Sequence, residues 1–314
     1  MVMISNRLRA VWNRFQAGIS ITAVGVFKPR RWRFLLASVV GVIAVTLLAT
    51  TAWAYTVTIS PAVPKLGDTI SVRIQSQPGM DEPPTVTMNG TTYPSYPMPG
   101  GYFRAMIPTN PLDRPGGYTV QVNGTEGART LDLELGDRSF NTQWITIAPS
   151  QSSLGTDYEF ERIGAFKQIV SPQKYWNGPM VRPSEGRISS AYGNLRYYNG
   201  VFAEDYYHRG VDYAAANGSP LYAPAAGYVR LVGRVADGFE LNGNTVGIDH
   251  GQGVLSIMIH LSRIDVQEGD FVQAGQVVGT MGSTGFATGP NLHWGLYVNG
   301  VAVDPVPWRF DGVE

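Results

Sequence analysis

Residues 254–261 read Val-Leu-Ser-Ile-Met-Ile-His-Leu, an uncharged and mostly apolar run that reaches a histidine, His260. Its composition and its short length are typical of a β-strand. Runs of the same kind lie on both sides of it, at Val229-Arg-Leu-Val232, Asn244-Thr-Val246-Gly-Ile248 and Trp294-Gly-Leu296-Tyr-Val298. Glycine is dense between these runs, and it is typical of turns. The last third of the chain is therefore predicted to be β-sheet.

Alternating apolar and polar residues begin at Tyr55 and continue for roughly 90 residues as about seven short predicted strands. One example is Thr69-Ile70-Ser71-Val72-Arg73-Ile74. Another, residues 85–88, leads into Asn89-Gly90, a strong signal for a β-hairpin. This pattern predicts a small immunoglobulin-like β-sandwich. It contains no cluster of histidines or paired carboxylates, so we interpret it as a spacer or a binding module.

One helix is predicted between the two β regions, from Asp157 to Val170. Phe160, Ile163 and Phe166 recur at helical spacing within it. Thr156 or Asp157 can cap its first turn, and Ser171-Pro172 ends it.

The N-terminal region has the features of a membrane segment. Seven Lys and Arg residues and no acid occur in residues 1–54, and residues 34–54 read FLLASVVGVIAVTLLATTAWA without a charge. These 21 residues would span roughly 31 Å as a helix, about one bilayer core. We expect this segment to be a permanent anchor, in preference to a signal peptide that is cleaved at Ala52-Trp53-Ala54. Positive charge stays in the cytoplasm, so the C-terminal bulk is expected in the periplasm or outside the cell.

Charge and composition argue against one class of function and limit the possible metal ligands. Beyond residue 54, 17 basic residues remain against 24 acidic ones, a net charge of −7, which argues against nucleic-acid binding. The chain has no cysteine, so any metal must be held by His, Asp or Glu. Its oligomeric state stays open.

The sequence thus predicts a mainly β protein with five segments. They are a basic cytoplasmic tail (1–33), a transmembrane anchor or signal segment (34–54), the β-sandwich (55–140), a connector with one helix (141–182) and an antiparallel, barrel-like β domain (183–314).

Chemistry is concentrated in this last domain. His208 and Asp212 lie four residues apart, so in a strand they share a face, and Gly210 between them lets the backbone bend. Asn291 and His293 alternate in the same way. Two histidines and one carboxylate with a fourth position open for water form the ligand set of a catalytic zinc site. The spacing alone leaves structural or surface roles for each histidine open.

Several motifs in fixed order resemble peptidase family M23, the lysostaphin- and LytM-like endopeptidases. They are Tyr207-His-Arg-Gly-Val-Asp-Tyr213, Ala223-Pro-Ala-Ala-Gly227, Ile259-His260-Leu-Ser262, Gly269-Asp-Phe-Val-Gln-Ala-Gly275, Gly282-Ser-Thr-Gly285 and Thr288-Gly-Pro-Asn-Leu-His293-Trp294. The resemblance covers roughly residues 183–308. The preceding sandwich and Tyr197-Tyr-Asn-Gly200 also resemble exported cyanobacterial members, a weaker match.

The resemblance implies a zinc endopeptidase that cleaves peptides of peptidoglycan in a shallow groove of antiparallel sheet. His208, Asp212 and His293 match the family's metal ligands. His260 matches its catalytic histidine, which acts as general base or steadies the oxyanion. Tyr192 matches a groove tyrosine that can hydrogen-bond the tetrahedral intermediate, and a packing role for it is equally open.

The sequence departs from the family at Asn291, where a histidine is usual. Asparagine can donate a hydrogen bond but cannot take up a proton, so metal binding is expected to survive while the rate is in doubt. His250, in Asp249-His250-Gly251, is expected in a surface turn.

The sequence allows two other interpretations. A weakly active or inactive M23 domain could bind peptidoglycan or regulate another hydrolase, but such domains typically lose ligands that this chain keeps. Residues 266–276 also resemble turns of lipoyl or biotinyl carriers and of phosphotransferase barrels. A carrier needs a lysine at its hairpin tip, and none occurs after Lys174; the phosphotransferase would need a cytoplasmic location.

Overall fold

The structure is a computed structural model that describes residues 55–75, 82–125, 127–147 and 154–311. These residues are mainly β, as predicted, and they include one α-helix, α1 (Asp157–Lys167). They fall within one compact unit, Trp53–Glu314. No helix in the described ranges is long and apolar enough to span a bilayer, and the predicted span, residues 34–54, lies outside those ranges.

The first part of the described chain forms eight strands in two four-stranded sheets. These strands are β1 (Val57–Ser60), β2 (Thr69–Gln75), β3 (Thr85–Met88), β4 (Thr91–Tyr93), β5 (Ser95–Met98), β6 (Tyr102–Pro108), β7 (Gly116–Gly124) and β8 (Gly127–Leu135). The sheet orders are β1-β2-β6-β5 and β4-β3-β7-β8. Immunoglobulin sandwiches have one sheet in the strand order A-B-E-D and a second in the order C-F-G. Here β1-β2-β6-β5 corresponds to A-B-E-D and β3-β7-β8 to C-F-G, and β4 is an extra strand beside β3.

The alternating pattern buries one face of each sheet. Ile70, Val72 and Ile74 on β2 are fully buried, as are Val120 and Val122 on β7. The two sheets therefore share one apolar interior, as the period-two pattern requires.

The hairpin predicted at Asn89-Gly90 is confirmed. These two residues join β3 to β4, with φ angles of 49° and 75°. Tight two-residue hairpin turns of this kind need positive φ at both positions, which Asn and Gly tolerate best.

A ten-stranded antiparallel sheet fills the last third of the chain. Its strands are β10 (Arg187–Ser190), β13 (Val211–Ala214), β14 (Pro220–Tyr222), β15 (Gly227–Gly233), β16 (Asn244–Gly251), β17 (Val254–Ile264), β18 (Phe271–Val272), β19 (Val277–Met281), β20 (Asn291–Val298) and β21 (Val301–Val303). Seven of the strands are paired in the order β10-β13-β20-β17-β16-β15-β18. Of the other three, β19 pairs with β17, β14 pairs with β19, and β21 pairs with β20. The run that begins at Val254 is a central strand, β17.

A three-stranded sheet stands beside this large sheet. It contains β9 (Thr142–Ile145), β11 (Leu195–Tyr198) and β12 (Val201–Tyr207), in the order β12-β11-β9. The sequence placed residues 142–145 in the connector and assigned them no strand. They pair in parallel with β11, so a segment that precedes α1 becomes part of this small sheet.

Helix α1 agrees with the prediction at its start and differs at its end. The Thr156 hydroxyl accepts a hydrogen bond from the Glu159 N–H, as expected of a cap, but the helix stops at Lys167 instead of Val170. Ile163 and Phe166 are buried, whereas Phe160 is 53% exposed. The apolar face is therefore narrower than the periodicity indicated.

The sandwich packs directly on the large sheet. Arg104 of β6 is fully buried and donates to the Gln252 side chain, with Nη2 and Oε1 2.7 Å apart. The Asn299 side chain donates to the Met106 carbonyl across the same boundary. Met106 also joins the core of the large sheet.

The expectation that His250 lies at the surface is wrong. His250 is fully buried in β16, and its Nδ1 donates to the Ala226 carbonyl at 2.9 Å. Its Nε2 accepts from the Ser256 hydroxyl at 2.8 Å, and the Ser256 oxygen in turn lies 3.2 Å from the Trp294 indole nitrogen. The turn begins only after His250, so the imidazole ties β16 to β17. Burial lowers the pKa of His250 to about 4.

This burial predicts an acid-sensitive fold. The unfolded chain takes up a proton on His250 near pH 6.5, whereas the folded chain does so near pH 4. Between these values the unfolded state binds more protons, so the free energy of unfolding falls as the pH falls. We expect His250→Gln to flatten this slope by up to about 1.4 kcal/mol per pH unit.

Urea unfolding of the wild type and of His250→Gln, at several values from about pH 7 to about pH 4, measures the two slopes. The other histidines are common to both proteins and cancel in the comparison. Identical slopes would show that His250 does not titrate in this way.

Candidate metal centre and active-site groove

Two neighbouring strands and the loop before them position the three candidate metal ligands. Asp212 on β13 is paired directly opposite His293 on β20. The spacing suggested that His208 and Asp212 share one strand, but His208 lies after the end of β12 and Asp212 lies on β13. The chain bends between them at Gly210, where a Cβ atom would lie 2.4 Å from the Trp294 carbonyl oxygen. Only glycine fits that approach.

The ligand atoms converge closely. The Nε2 of His208 lies 3.0 Å from the Oδ1 of Asp212 and 3.0 Å from the Nδ1 of His293. The His293 Nδ1 lies 2.9 Å from the same Asp212 oxygen. Within the described part of the chain, this is the only group of three His or acidic side chains close enough to hold one metal ion.

Hydrogen bonding fixes which nitrogen of His208 can bind a cation. Its Nδ1 lies 2.7 Å from the Ala191 carbonyl oxygen, which can only accept, so Nδ1 carries the proton. Nε2 is then the nitrogen whose lone pair can face Asp212 and His293. Zinc at 2.0–2.1 Å from tetrahedral ligands places them about 3.3 Å apart. The donor set and its spacing therefore fit a zinc ion.

The ionisation of Asp212 and His293 favours the same conclusion. Burial would raise the pKa of Asp212, but its close contacts with the His208 and His293 rings outweigh burial and hold that pKa well below its usual range. Burial lowers the pKa of His293. The carboxylate is thus charged and the imidazole neutral, which are the forms that bind a metal.

Arg196 on β11 faces the other oxygen of Asp212. Its Nη2 lies 3.9 Å from Oδ2, while Oδ1 faces the two histidines. The guanidinium donates to the Gln143 side-chain oxygen and to the hydroxyls of Tyr198 and Tyr206, at 3.2 to 3.4 Å. The small sheet thereby places a fixed positive charge behind the carboxylate.

His260 lies where β17 changes partners. Ile259 pairs with His293 on β20, but Leu261 pairs with Met281 on β19. The resulting bulge gives His260 a φ of 71°, a left-handed conformation that is uncommon for residues other than glycine. The bulge separates His260 from the regular ladder.

The ring of His260 is held in one tautomer. Its Nδ1 donates to the Thr284 carbonyl at 2.8 Å, which leaves Nε2 unprotonated. Burial and the neighbouring His293 lower the pKa of His260 to about 4. The imidazole is therefore neutral over the physiological range and can accept a proton.

Glu159 of α1 supports the backbone of His260 from behind. This carboxylate is fully buried and accepts hydrogen bonds from the Leu241 N–H at 2.9 Å and the Asn242 N–H at 2.7 Å. The Asn242 side-chain amide also donates to it. The Asn242 carbonyl then accepts from the His260 N–H at 3.0 Å. The connector helix thus anchors the bulge.

The expectation that Tyr192 lines the groove is wrong. Tyr192 is 2% exposed, and its hydroxyl donates to the Ala302 carbonyl at 2.8 Å. Its ring packs edge-on against Phe140 and Tyr207. The packing role is the one the structure supports, because the backbone turns the side chain into the core between sandwich and sheet. Tyr198 and Tyr206 line the groove instead.

Asn291 begins β20 and lines the same groove as His293, as the alternation predicted. Its amide donates to the Gly289 carbonyl at 2.8 Å. The side chain is thus held by its own loop.

One open groove of about 1050 Å³ is lined by the three candidate ligands together with His260 and Asn291. Its walls come from β9, β11, α1, β17, β20 and the loop of residues 286–290. The groove is open to solvent.

The part of the chain that carries the candidate ligands is similar to known peptidases. The model of Peptidase family M23 matches residues 206–305. Over 119 residues, the chain is 38% identical to the peptidoglycan DD-endopeptidase ShyC of Vibrio cholerae serotype O1, a match that covers 38% of this chain and 26% of that protein. The matched part amounts to about a quarter of such curated relatives or less.

Two solved structures extend this similarity. The catalytic domain of lysostaphin from Staphylococcus simulans is 32% identical, with 40% of this chain and 92% of that domain covered and a TM-score of 0.34. A putative M23 peptidase from Pseudomonas aeruginosa is 28% identical, with 80% and 95% covered and a TM-score of 0.59. The sources of these proteins lend no support to the narrower cyanobacterial resemblance.

Sequence reasoning missed Arg196 and Glu159. Neither lies within the M23 motifs, and both act through partners far away in the sequence, Asp212 and Asn242. An acid on the buried face of the helix was the one available signal, since Glu159 precedes Ile163 by four residues.

The hydrogen bonds around Glu159 predict that its replacement lowers the stability of the fold. Glu159→Ala leaves three N–H donors without their acceptor, so we expect the free energy of unfolding to fall by about 2–4 kcal/mol. Amide exchange at Leu241, Asn242 and His260 should also quicken.

Glu161→Ala is the matched control, because Glu161 is exposed on the same helix. Chemical denaturation and hydrogen exchange compare the two variants. Equal stability of Glu159→Ala and Glu161→Ala would refute the anchoring role.

Proposed function

The chain belongs to peptidase family M23, and on that premise we propose that it is a zinc-dependent endopeptidase that cleaves peptide bonds in peptidoglycan. The observation that carries the proposal is the convergence of His208, Asp212 and His293 within 3.0 Å in an open groove. The name of ShyC supports the substrate class, since it is a peptidoglycan endopeptidase.

His208 through Nε2, His293 through Nδ1 and Asp212 through Oδ1 would hold the zinc. When bound, zinc polarises a carbonyl and lowers the pKa of water, the chemistry that peptide hydrolysis needs. Arg196 balances the second oxygen of Asp212 and so keeps the carboxylate oriented.

His260 is the proton acceptor in this proposal. Its Nε2 is unprotonated because Thr284 holds Nδ1–H, and its low pKa keeps it neutral at physiological pH. A neutral imidazole beside the metal ligands can take a proton from water as it attacks, and can return that proton to the leaving amine.

Asn291 supplies a fixed amide where the family pattern has histidine. Because it carries no proton that it can transfer, its contribution is a neutral hydrogen bond to the substrate or to the intermediate. The buried Tyr192 cannot compensate, since its hydroxyl is bonded to Ala302. We infer that the enzyme is slow.

We place the enzyme outside the cytoplasm, anchored in the inner membrane by residues 34–54. The uncharged run and the seven preceding positive charges support this. An extracytoplasmic location also gives the groove access to the cell wall.

The central test uses purified full-length protein and isolated peptidoglycan. We expect zinc-loaded wild type to release peptide-linked fragments, and a chelator or His208→Ala to abolish the release. Mass spectrometry of the soluble products identifies the bond that is cut. A zinc-loaded wild type that releases nothing, or a release that survives the chelator, would contradict the proposal.

Replacement of Asn291 tests the rate. Loss of one stabilising donor commonly costs about 10²–10³ in other hydrolases, so Asn291→His should speed cleavage by at least roughly tenfold. Zinc content should not change, because Asn291 is not a ligand. Kinetics at matched zinc occupancy measure the effect. A variant no faster than wild type would mean that asparagine already suits this substrate.

Topology is tested by a reporter fused after Glu314. Alkaline phosphatase, which needs export, should be active there, and a cytoplasmic reporter should be silent. N-terminal sequencing of the mature protein separates the anchor from a signal peptide, because cleavage would leave Tyr55 as the first residue. A reporter active only in the cytoplasm would overturn the topology.

A further inference from the structure

The charge of the groove differs from that of the rest of the body. Beyond residue 54 the chain has a net charge of −7, yet four basic side chains line the groove: Lys167, Arg187, Arg196 and Arg209. Among the described residues that line it, the only acid is Asp212, the proposed metal ligand. The groove is therefore a positive channel in an acidic protein, which attracts anionic groups.

Lys167 and Arg209 form a cation pair in one wall. The Lys167 amine lies 4.8 Å from the centre of the Tyr297 ring, and the Arg209 guanidinium stacks at 5.3 Å over Tyr206. Burial and then the charge of Arg209 lower the pKa of Lys167 to about 8. The charge of Arg209 thus acts on Lys167 in the groove that both line, while the amine stays largely protonated at neutral pH.

This pair has no counter-charge among the described residues. Arg196 already faces Asp212, but neither Lys167 nor Arg209 makes an ion pair with a described carboxylate. Their side chains are half-buried, and each lies against an aromatic ring. A position near the C-terminus of α1 favours Lys167 through the helix dipole, but this does not account for Arg209 beside it.

The register of β20 gives the distance between the metal centre and Tyr297, the ring against which Lys167 lies. Tyr297 follows His293 by four residues and faces the same side of the strand, which places it about 13 Å along the groove. A bound peptide in extended conformation covers the same distance in about four residues.

We propose that Lys167 and Arg209 form a subsite for a free carboxylate of the substrate peptide, about four residues from the bond that is cut. The inference rests on the proposed peptidase function and specifies its substrate: acidic stem peptides with free carboxyl groups, and not neutral bridges such as oligoglycine. Tyr297 forms the floor on which the amine lies.

Binding and cleavage of matched peptides test the subsite with full-length protein. The probes are cross-linked stem peptides with free carboxyl groups and the same peptides with those groups converted to primary amides. Charge-assisted hydrogen bonds predict that wild type binds and cuts the free acid roughly ten- to a hundred-fold better. The double variant Lys167→Gln, Arg209→Gln should lose this preference.

Two further variants keep the test interpretable. Arg234→Gln removes an exposed arginine outside the groove and should keep the full preference. Lys167→Gln alone keeps Arg209, the residue after His208, so its zinc content should not change. This variant should lose part of the preference for the free acid.

Calorimetric binding separates failure of the subsite from failure of the proposed function. Wild type that binds and cuts acid and amide equally, or a double variant that keeps the preference, overturns the subsite and leaves the peptidase intact. Wild type that favours the acid in binding but cuts neither peptide nor peptidoglycan supports the subsite and overturns the peptidase.

Discussion

The convergence of one carboxylate oxygen and two imidazole nitrogens within 3.0 Å of one another is the constraint on which this structure depends. Without a cation, a carboxylate and two imidazoles at this spacing repel or must share protons, and burial makes that repulsion costlier. The arrangement persists because strand register imposes it. Asp212 faces His293 across β13 and β20, and the bend at Gly210 brings His208 back over them.

The groove around this centre is assembled from parts that are distant in sequence. β9 and α1 precede the large sheet, yet Gln143 orients Arg196 and Glu159 anchors the loop behind His260. The sandwich in turn packs on the large sheet through Arg104 and Gln252. The connector therefore contributes to the site through β9 and α1, while the sandwich packs on the far side of the large sheet's core.

Local patterns in the sequence were sufficient for much of the fold. Alternation gave the buried faces of β2 and β7, and Asn89-Gly90 gave its hairpin, because both depend on residues that are neighbours in the chain. The three candidate ligands could be chosen from motif order. What failed depends on contacts across the fold: Tyr192 looked like a groove residue and His250 like a turn residue, yet both are buried by partners far away in the sequence.

The same reasoning explains why charge in the groove was not foreseen. Lys167 and Arg209 lie 42 positions apart in the sequence, on different elements, and only the folded chain shows that they share a wall without an acid. The tautomer of His260 is another such property, since it is set by the Thr284 carbonyl. Both features follow from the fold, and neither has a local signature.

The most direct test of the account is X-ray absorption at the zinc edge on purified full-length protein, with His208→Ala in parallel. The account predicts one zinc per chain, with two imidazole nitrogens and carboxylate oxygen at about 2.0–2.2 Å. The imidazole signal and most of the zinc should disappear in the variant. Wild type that binds no zinc in the presence of excess metal, or a coordination shell without imidazole, would contradict the central claim.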